Sequence, residues 1–350
     1  MISTRGHRTI IALILVLAVA ATVVAEDRGR GAEAGEGHIG YGPFSLRGQS
    51  AFQALRLGIL PRFPSNLALG EHQLKIGATW SNIWVIDEEW FDPQNGSYGD
   101  YFLDHETLDA HVAYAYGVSE TMQLEVAYEQ RWRFGGGLDG LVENFHDLIG
   151  INQNGRDLVP RNGYEIYLDP LDGNSAVRLE DSSKGSFARN VLVAFNHEIS
   201  RGTGNWPAIS YAVTARHSDA DPDGGSGWAA ALSAGASRRF GRFYLYIAAG
   251  YEWYSDDTFL GIELPGSQLT ILAATEWRFR PRMSLVFEWL RMQAEKTSTD
   301  FFPEISNQIV FGWKWEFRQS GVIEIGMLQN GVPFDGSPDF GWHAAFTQRF

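Results

Sequence analysis

Apolar and polar residues alternate along twelve separate segments of this chain, a period of two residues that is typical of β-strands with two different faces. In the stretch NQIVFGWKWEF, Ile309, Phe311 and Trp313 share one face, whereas Gln308 and Lys314 share the other. The twelve segments span residues 72–86, 105–118, 122–134, 187–200, 206–217, 227–240, 242–255, 267–280, 283–295, 306–317, 321–329 and 338–350. The sequence therefore predicts an all-β fold.

The connections between these segments alternate between long and short. The longest begins at Gly135 and lies between the short turns VSET and RGTGN. Up-and-down barrels have this ordering because short periplasmic turns join the strands at one end and longer external loops join them at the other. No later stretch approaches the roughly 20 apolar residues of a spanning helix. We therefore predict a transmembrane antiparallel up-and-down β-barrel of about 12 strands, closed so that every backbone group is paired.

The N-terminal region predicts two further parts. Arg5, His7 and Arg8 precede an almost wholly apolar run, and Val23-Val24-Ala25 offers small residues for cleavage, so residues 1–25 are expected to be a signal peptide. Residues 26–71 lack strand alternation and contain Gly and Pro breaks. They are expected to form a periplasmic leader or a plug segment at or in the periplasmic mouth, with an extra edge strand as the alternative, and residues 72–350 are expected to form the barrel.

Charge and cysteine content exclude some classes of protein. The formal net charge is −14, which argues against nucleic acid as a partner because phosphate binding needs clustered Lys and Arg. The chain has no cysteine, so disulfides cannot hold the exported fold together. No cofactor and no enzymatic activity are expected.

The last segment ends on an aromatic residue. Phe350, Phe346 and Trp342 share its apolar face, and a terminal aromatic resembles the C-terminal signature of Gram-negative outer-membrane proteins. Gln348 stands where that signature usually has an aromatic residue. The expected location is the outer membrane of a Gram-negative bacterium, with outer-membrane lipid and lipopolysaccharide around the wall and barrel-assembly machinery recognising Phe350.

Three stretches together resemble one family: YGPFSLRGQSAF, NFHDLIGINQNGRDLVPRN and the Phe-terminated last segment. The family is an uncharacterised group of Gram-negative outer-membrane β-barrel proteins, a domain-of-unknown-function family of the DUF 3187 type. The resemblance covers most of the chain after the signal peptide. It implies an outer-membrane barrel and no established activity. Its specific positions, in the loop that we expect to gate the lumen, are Phe145, His146, Asp147, Gly150, Gly155, Arg156 and Pro160.

The same loop predicts a short amphipathic helix. We expect a helix in the second external loop, against the barrel mouth or inner wall, because apolar residues recur there at helical spacing: Leu138, Leu141, Val142, Phe145, Leu148 and Ile149. There it would act either as a gate or as a structural lid. The His146–Asp147 pair is not expected to be catalytic, because adjacent helical residues do not face each other.

The stretch DADPDGG matches the first half of a calcium-binding loop, with Asp219, Asp221 and Asp223 at alternate positions. The twelfth position of that pattern, which should be Glu, is Ala230. We expect a solvated acidic loop, with a weak calcium site as the alternative, and no other metal site.

Charges of both signs occupy the face of the strands that we expect to point inward. The candidates for lining the lumen are Lys75, His111, Glu125, Glu129, Arg131, Arg216, Glu252, Glu276, Arg278, Lys314 and Glu324. A mixed face of this kind suits a narrow gated or plugged pore for a small polar solute. Two alternatives are a structural or docking barrel with a sealed lumen and, less favoured, a lipid hydrolase embedded in the outer membrane.

Overall fold

The computed structural model describes residues 39–350, with gaps at 51, 52, 54, 65, 66, 88, 90, 151, 170–175, 221–224, 257, 295–304, 318, 319 and 332–337. The expected signal peptide, residues 1–25, lies outside the described residues, as do Asp221 and Asp223.

Twelve long strands are found in the described residues. They are β1 (His72–Ile86), β2 (Tyr101–Gly117), β3 (Met122–Phe134), β4 (Gly185–Arg201), β5 (Ala208–Ala220), β6 (Gly225–Phe240), β7 (Phe243–Tyr254), β8 (Ser267–Arg280), β9 (Met283–Ala294), β10 (Ile305–Phe317), β11 (Gly321–Asn330) and β12 (Phe340–Arg349). Each strand pairs antiparallel with its neighbours in sequence, and β1 also pairs with β12, from Gln73 opposite Arg349 to Asn82 opposite Phe340. The predicted closed antiparallel barrel is therefore confirmed.

The two faces of the wall differ as the alternation predicts. On β10, Phe311 points outward and is 50% exposed, whereas the preceding residue, Val310, points inward and is fully buried. The same contrast holds on β7 between the outward Ile247 and the inward Ala248. Large apolar side chains thus cover the outer surface, where a transmembrane barrel meets lipid.

Short elements occupy the long connections. The helix α1 (Asp139–Ile149) lies between β3 and β4, as predicted for the second long loop, and 3-10 turns span Pro93–Asn95, Arg156–Leu158 and Asp181–Ser183. Two-stranded pairings join Phe91–Asp92 with Ser97–Tyr98 and Thr258–Phe259 with Ile262–Glu263, and Glu165–Leu168 adds to β2 and pairs with Val177–Leu179. No helix in the described ranges is long and apolar enough to cross a membrane.

Helix α1 packs against the outer surface of the wall, so its expected position at the mouth or inner wall is wrong. Leu138 and Val142 form a buried cluster with Phe340 of β12 and Met327 of β11, which face outward. The backbone N–H groups of Gly137 and Leu138 donate to the outward-facing carboxylate of Glu106, each at 2.6 Å. A helix needs both an apolar surface and partners for its first N–H groups, and the outer rim of the seam supplies both.

The described residues between 39 and 64, which exclude 51, 52 and 54, lie inside the wall, and we call them the luminal segment. Their contacts begin beside Glu276 and Glu316 at the short-turn end of the barrel. They reach Gln268 at the long-loop end, through Gln53, and return to Asn196 through Phe63. The segment thus follows the lumen to the long-loop end and back before β1 begins.

Candidate functional site in the barrel lumen

Wall carboxylates hold the first half of the luminal segment, which runs from the short-turn end of the barrel to the long-loop end. The backbone N–H of Tyr41 donates to Glu276 at 2.9 Å, that of Phe44 to Glu288 at 2.8 Å, and that of Ser45 to Glu324 at 3.0 Å. Lys314 donates to the carbonyl oxygen of Pro43 at 2.7 Å. A buried segment without ladder partners must satisfy its backbone elsewhere, and here inward-facing charged side chains do so.

The returning half makes the same kind of contact. The N–H of Ile59 donates to Glu252 at 2.8 Å, and the guanidinium of Arg216 donates to the carbonyl oxygen of Leu57. The backbone of the segment passes close to the wall at Gly235. A Cβ there would lie 2.5 Å from the carbonyl oxygen of Arg62, so a side chain at this position would push the segment away.

Three arginines of the segment pair with acids of the barrel. Arg62 lies 2.6 Å from Glu125 of β3, and Arg47 pairs with Glu129 on the same strand. Arg56 donates to the carbonyl oxygen of Pro265 at 3.1 Å and lies 3.3 Å from Asp256, in the loop after β7. All three arginine side chains are mostly buried, and so are Glu129 and Glu125, whereas Asp256 is 34% exposed. The Arg47 and Arg62 pairs are therefore the better shielded from solvent and salt.

An apolar cluster lies at the long-loop end of the lumen. Leu55 and Leu57 of the luminal segment lie in it with Phe187 of β4. Its other buried members come from the wall and from the loops, namely Ile83, Val85, Leu103, Tyr164, Ile166, Leu168, Leu179, Ala188, Phe259, Ile262 and Leu264. Strand 165–168 and the loop after β7, rather than helix α1, therefore cover this end.

A hydroxyl, an imidazole and a carboxylate stand in series on the inner wall. Thr79 Oγ1 lies 2.9 Å from His343 Nδ1, and His343 Nε2 lies 3.0 Å from Glu324. Lys314 and Ser45 also bind Glu324. All members of the series are buried and face the lumen rather than lipid. The arrangement braces β1, β12, β11 and β10 against the luminal segment, and it is not where a lipid hydrolase would need its nucleophile.

The eleven side chains predicted to line the lumen all occupy inward positions of their strands, and most touch the luminal segment. Besides those already described, Arg131 pairs with Asp109 and donates to the carbonyl oxygen of Gln53. Arg278 lies over the ring of Tyr41, with 4.3 Å between its guanidinium carbon and the ring centroid. His111 lines a small space between the segment and the wall, and Lys75 is half-buried on β1. Their role in a conducting pore stays a prediction.

The loop motif converges on Arg156, which is 2% exposed. Its guanidinium donates to Asp139 at 2.8 Å, to Asn82 of β1 at 2.8 Å and to Asp339 at 2.6 Å. The ring of Trp84 lies beneath it, 4.6 Å from the guanidinium carbon to the ring centroid. The motif thus ties the long loop to both strands of the closure seam.

The remaining motif positions surround this arginine. Gly150 ends α1 in the left-handed conformation, with φ of 73°. Gly155 has φ of 76°, and a Cβ there would lie 2.9 Å from the ring of Phe91, so glycine is required on both grounds. Gln153 donates to Asp147 at 2.7 Å. Phe145 and His146 are half-buried on α1, whereas Pro160 is exposed.

The calcium candidate is only partly described, because Asp219 lies in β5, one residue before its end, and its two partners are outside the described residues. Asp219 lies 4.0 Å from Arg189. Among the described ranges there is no group of three or more His, Asp or Glu side chains that could hold a metal ion.

A family model matches residues 15–350, nearly the whole chain, and its description is "Protein of unknown function (DUF3187)". This chain belongs to the DUF3187 family. The resemblance drawn from the three sequence stretches is therefore confirmed. No curated protein matches the chain.

Solved structures of outer-membrane proteins are similar to this chain. An outer-membrane channel from Pseudomonas putida F1 matches 84% of this DUF3187 chain and 100% of its own, at 9% identity and a TM-score of 0.52. The toluene transporter TodX of Pseudomonas putida matches 87% of this chain and 98% of its own, at 10% identity and a TM-score of 0.39. The likeness to the Pseudomonas putida F1 channel, at 9% identity, shows the fold alone.

Sequence reasoning missed the partners of the luminal segment and the role of Arg156 at the seam. One signal for the segment is present in the sequence. Residues 39–70 contain Arg47, Arg56 and Arg62 and no acidic residue, in a chain with 42 acidic residues. Such a stretch complements an acidic surface elsewhere in the same chain.

Proposed function

We propose that this DUF3187 protein is an outer-membrane channel for a small solute, and that the luminal segment keeps its lumen closed until the segment moves. The observation that carries the proposal is how the segment is held. It is bound by separate hydrogen bonds and ion pairs to wall side chains, including Glu276, Glu288 and Arg62–Glu125, and not by a strand ladder. Such contacts can break without opening the wall. The fold shared with an outer-membrane channel from Pseudomonas putida F1 supports the channel part of the proposal.

In this proposal the protein lies in the outer membrane of a Gram-negative bacterium after removal of a signal peptide at residues 1–25. The exposed apolar outer face would contact lipid, with the long loops near lipopolysaccharide. The backbone N–H and C=O of Phe350 bond with His72 at 3.0 Å, which holds the last residue beside the start of β1. Assembly machinery would recognise it there.

A disulfide lock tests the proposal, because the native chain has no cysteine. A Cβ at Gly250 would lie 3.6 Å from the Cβ of Pro61, within the roughly 3.5–4.5 Å that a disulfide spans. Full-length Pro61→Cys/Gly250→Cys protein would be recorded in planar bilayers and in liposome-swelling assays. We expect conductance when the pair is reduced and its loss when the pair is oxidised.

The matched control is Leu232→Cys/Tyr251→Cys, which joins β6 to β7 at the adjacent pair of opposed residues on the outer face and includes no residue that contacts the segment. Oxidation of this control should leave conductance unchanged. If the native chain and an Arg47→Gln/Arg62→Gln variant with a weakened segment both stay silent in both assays, the protein is not a diffusion channel.

A sealed structural or docking barrel is the second candidate. The observation in its favour is that buried wall pairs such as Lys314–Glu324 and Arg216–Glu252 fill much of the inner face. Silence in both assays would favour it. If shortening the loop between β3 and β4 leaves every envelope phenotype unchanged, the docking role is contradicted.

A further inference from the structure

The charges that face the luminal segment are strongly unequal. Among the residues that the structure describes, nine acidic side chains of the barrel hydrogen-bond or ion-pair with the segment, whereas four Arg or Lys side chains contact it. The acids are Asp109, Glu125, Glu129, Glu252, Asp256, Glu276, Glu288, Glu316 and Glu324. The bases are Arg131, Arg216, Arg278 and Lys314. The segment itself contributes three arginines and no acid.

Each of the four wall bases already has an acidic partner on the wall. Arg131 binds Asp109, Arg216 lies 3.2 Å from Glu252, and Arg278 lies 3.3 Å from Glu276. Lys314 binds Glu324. These pairs do not need the luminal segment for charge balance. If the segment moved, the wall bases would remain neutralised and would offer little to an anion.

Glu125, Glu129 and Asp256 are different, since their ion pairs within the described chain are made with arginines of the segment. Glu125 is 13% exposed at its side chain and Glu129 is 5% exposed. Removal of the segment would leave these carboxylates facing the lumen without a cation. A buried charge without a partner is costly, so these sites would draw a cation from solution.

The three carboxylates are distributed along the length of the lumen. Asp256 follows the end of β7 at the long-loop end, Glu129 lies near the middle of β3, and Glu125 lies nearer its short-turn end. Four residues along a strand correspond to roughly 13 Å, so a solute could pass from one carboxylate to the next. Rings or series of acidic side chains of this kind favour cations in channels.

We propose that the solute of this channel is a small organic cation carrying a guanidinium or primary ammonium group, and that Arg47, Arg56 and Arg62 occupy its binding sites in the closed barrel. The inference rests on the proposed channel function and names its substrate class. The carboxylates Asp256, Glu129 and Glu125 bind the cation in turn. The segment therefore closes the lumen by occupying the same sites as the solute.

Chemical rescue tests the binding sites without requiring conductance. Arg62→Ala removes the guanidinium from Glu125 in the full-length protein. Thermal unfolding in detergent would be measured with millimolar methylguanidinium chloride and with sodium chloride at equal ionic strength. We expect methylguanidinium to raise the unfolding temperature of Arg62→Ala, although guanidinium salts generally lower it. The native chain and Arg238→Ala, at the short-turn rim, should show no such rise.

The double variant Arg62→Ala/Glu125→Gln identifies the carboxylate as the binding group. The rise in unfolding temperature should disappear in it. An equal rise in Arg62→Ala and in the double variant, or no rise in either, would overturn the inference. Arg47→Ala with Glu129→Gln provides a second, independent pair should one variant fail to fold.

Reversal potentials in a potassium chloride gradient separate this inference from the channel proposal. Openings of the native chain and of Arg47→Gln/Arg56→Gln/Arg62→Gln should favour potassium over chloride severalfold, and Glu125→Gln/Glu129→Gln should reduce that preference. Current that favours chloride, or neither ion, overturns the cation inference and leaves the channel proposal standing. If no current flows, the channel proposal fails, and the rescue result alone decides whether the carboxylates form cation sites.

Discussion

Arg156 and Asp339 form an ion pair, 2.6 Å from Nη2 to Oδ2, that joins the long loop to the residue preceding β12. The same guanidinium reaches Asn82 on β1 at 2.8 Å. Because β1 and β12 are the first and last strands of the barrel, one side chain ties both sides of the closure seam. The DUF3187 loop motif therefore stabilises barrel closure from the outer rim.

Arg156→Ala should destabilise the folded barrel, because it leaves the buried carboxylate of Asp139 without its cation. Removal of one partner of a buried pair costs about 3–5 kcal/mol. The free energy of unfolding, from urea titrations followed by tryptophan fluorescence in micelles, measures the change. Arg161→Ala is the control: its side chain is 66% exposed beside Glu143, and no measurable change is expected. Equal effects of the two variants would contradict a role at the seam.

Gly235→Ala should loosen the luminal segment while leaving the wall intact. The added methyl group would lie 2.5 Å from the carbonyl oxygen of Arg62, a backbone atom that cannot rotate away. Hydrogen exchange at residues 59–64 should therefore become faster, because the bond from the N–H of Arg62 to Ser233, 3.2 Å long, is lost.

The control for that exchange experiment is Gly140→Ala on helix α1, where an added Cβ meets nothing within 4 Å. It should leave exchange in the segment unchanged and stabilise the helix by roughly 1 kcal/mol. Unchanged exchange in Gly235→Ala would contradict the close approach of segment and wall.

The sequence was sufficient to predict the barrel because lipid and lumen impose different chemistry on alternate residues. Trp313 and Lys314 are neighbours with opposite environments, the first 43% exposed and the second buried. Trp84 is an exception to that alternation. It has the outward parity of the other tryptophans, but it is buried beneath Phe91 and Arg156, because the first long loop and the family motif cover this part of the outer surface.

The position of helix α1 could not be predicted, because helical spacing identifies an apolar face but not the surface that receives it. Leu138 and Val142 are buried, whereas Leu148, assigned by spacing to the same face, is 81% exposed. The position of the luminal segment could not be predicted from the sequence either. The segment has no periodicity, and its partners Glu125, Glu276 and Glu324 are distant in sequence. Charge complementarity predicts that such partners exist but not where they are.

Ile247→Arg should destabilise the barrel if the outer face of β7 lies in hydrocarbon. Ile247 is 60% exposed near the middle of that strand. An arginine at the bilayer midplane costs about 2–4 kcal/mol in transmembrane barrels. Unfolding in lipid bilayers would measure the cost. Leu148→Arg makes a similar change at an exposed residue of α1, outside the wall, and should have little effect. Similar results for both variants would contradict the lipid-facing assignment.

Lys314→Met should destabilise the inner wall more than Lys314→Met/Glu324→Gln does. The single variant leaves the buried Glu324 carboxylate without its lysine, whereas the double variant removes the charge as well. A double-mutant cycle on the free energy of unfolding gives the coupling. If the double variant is less stable than the native chain by the sum of the effects of Lys314→Met and Glu324→Gln alone, the two side chains are not coupled.

The position of residues 39–64 inside the closed wall can be tested in native membranes by mass spectrometry of Pro61→Cys/Gly250→Cys protein after mild oxidation. The predicted result is a peptide pair linked through positions 61 and 250 in most molecules, with position 61 inaccessible to a membrane-impermeant maleimide. The contradicting result is rapid maleimide labelling at position 61 and no linked peptide.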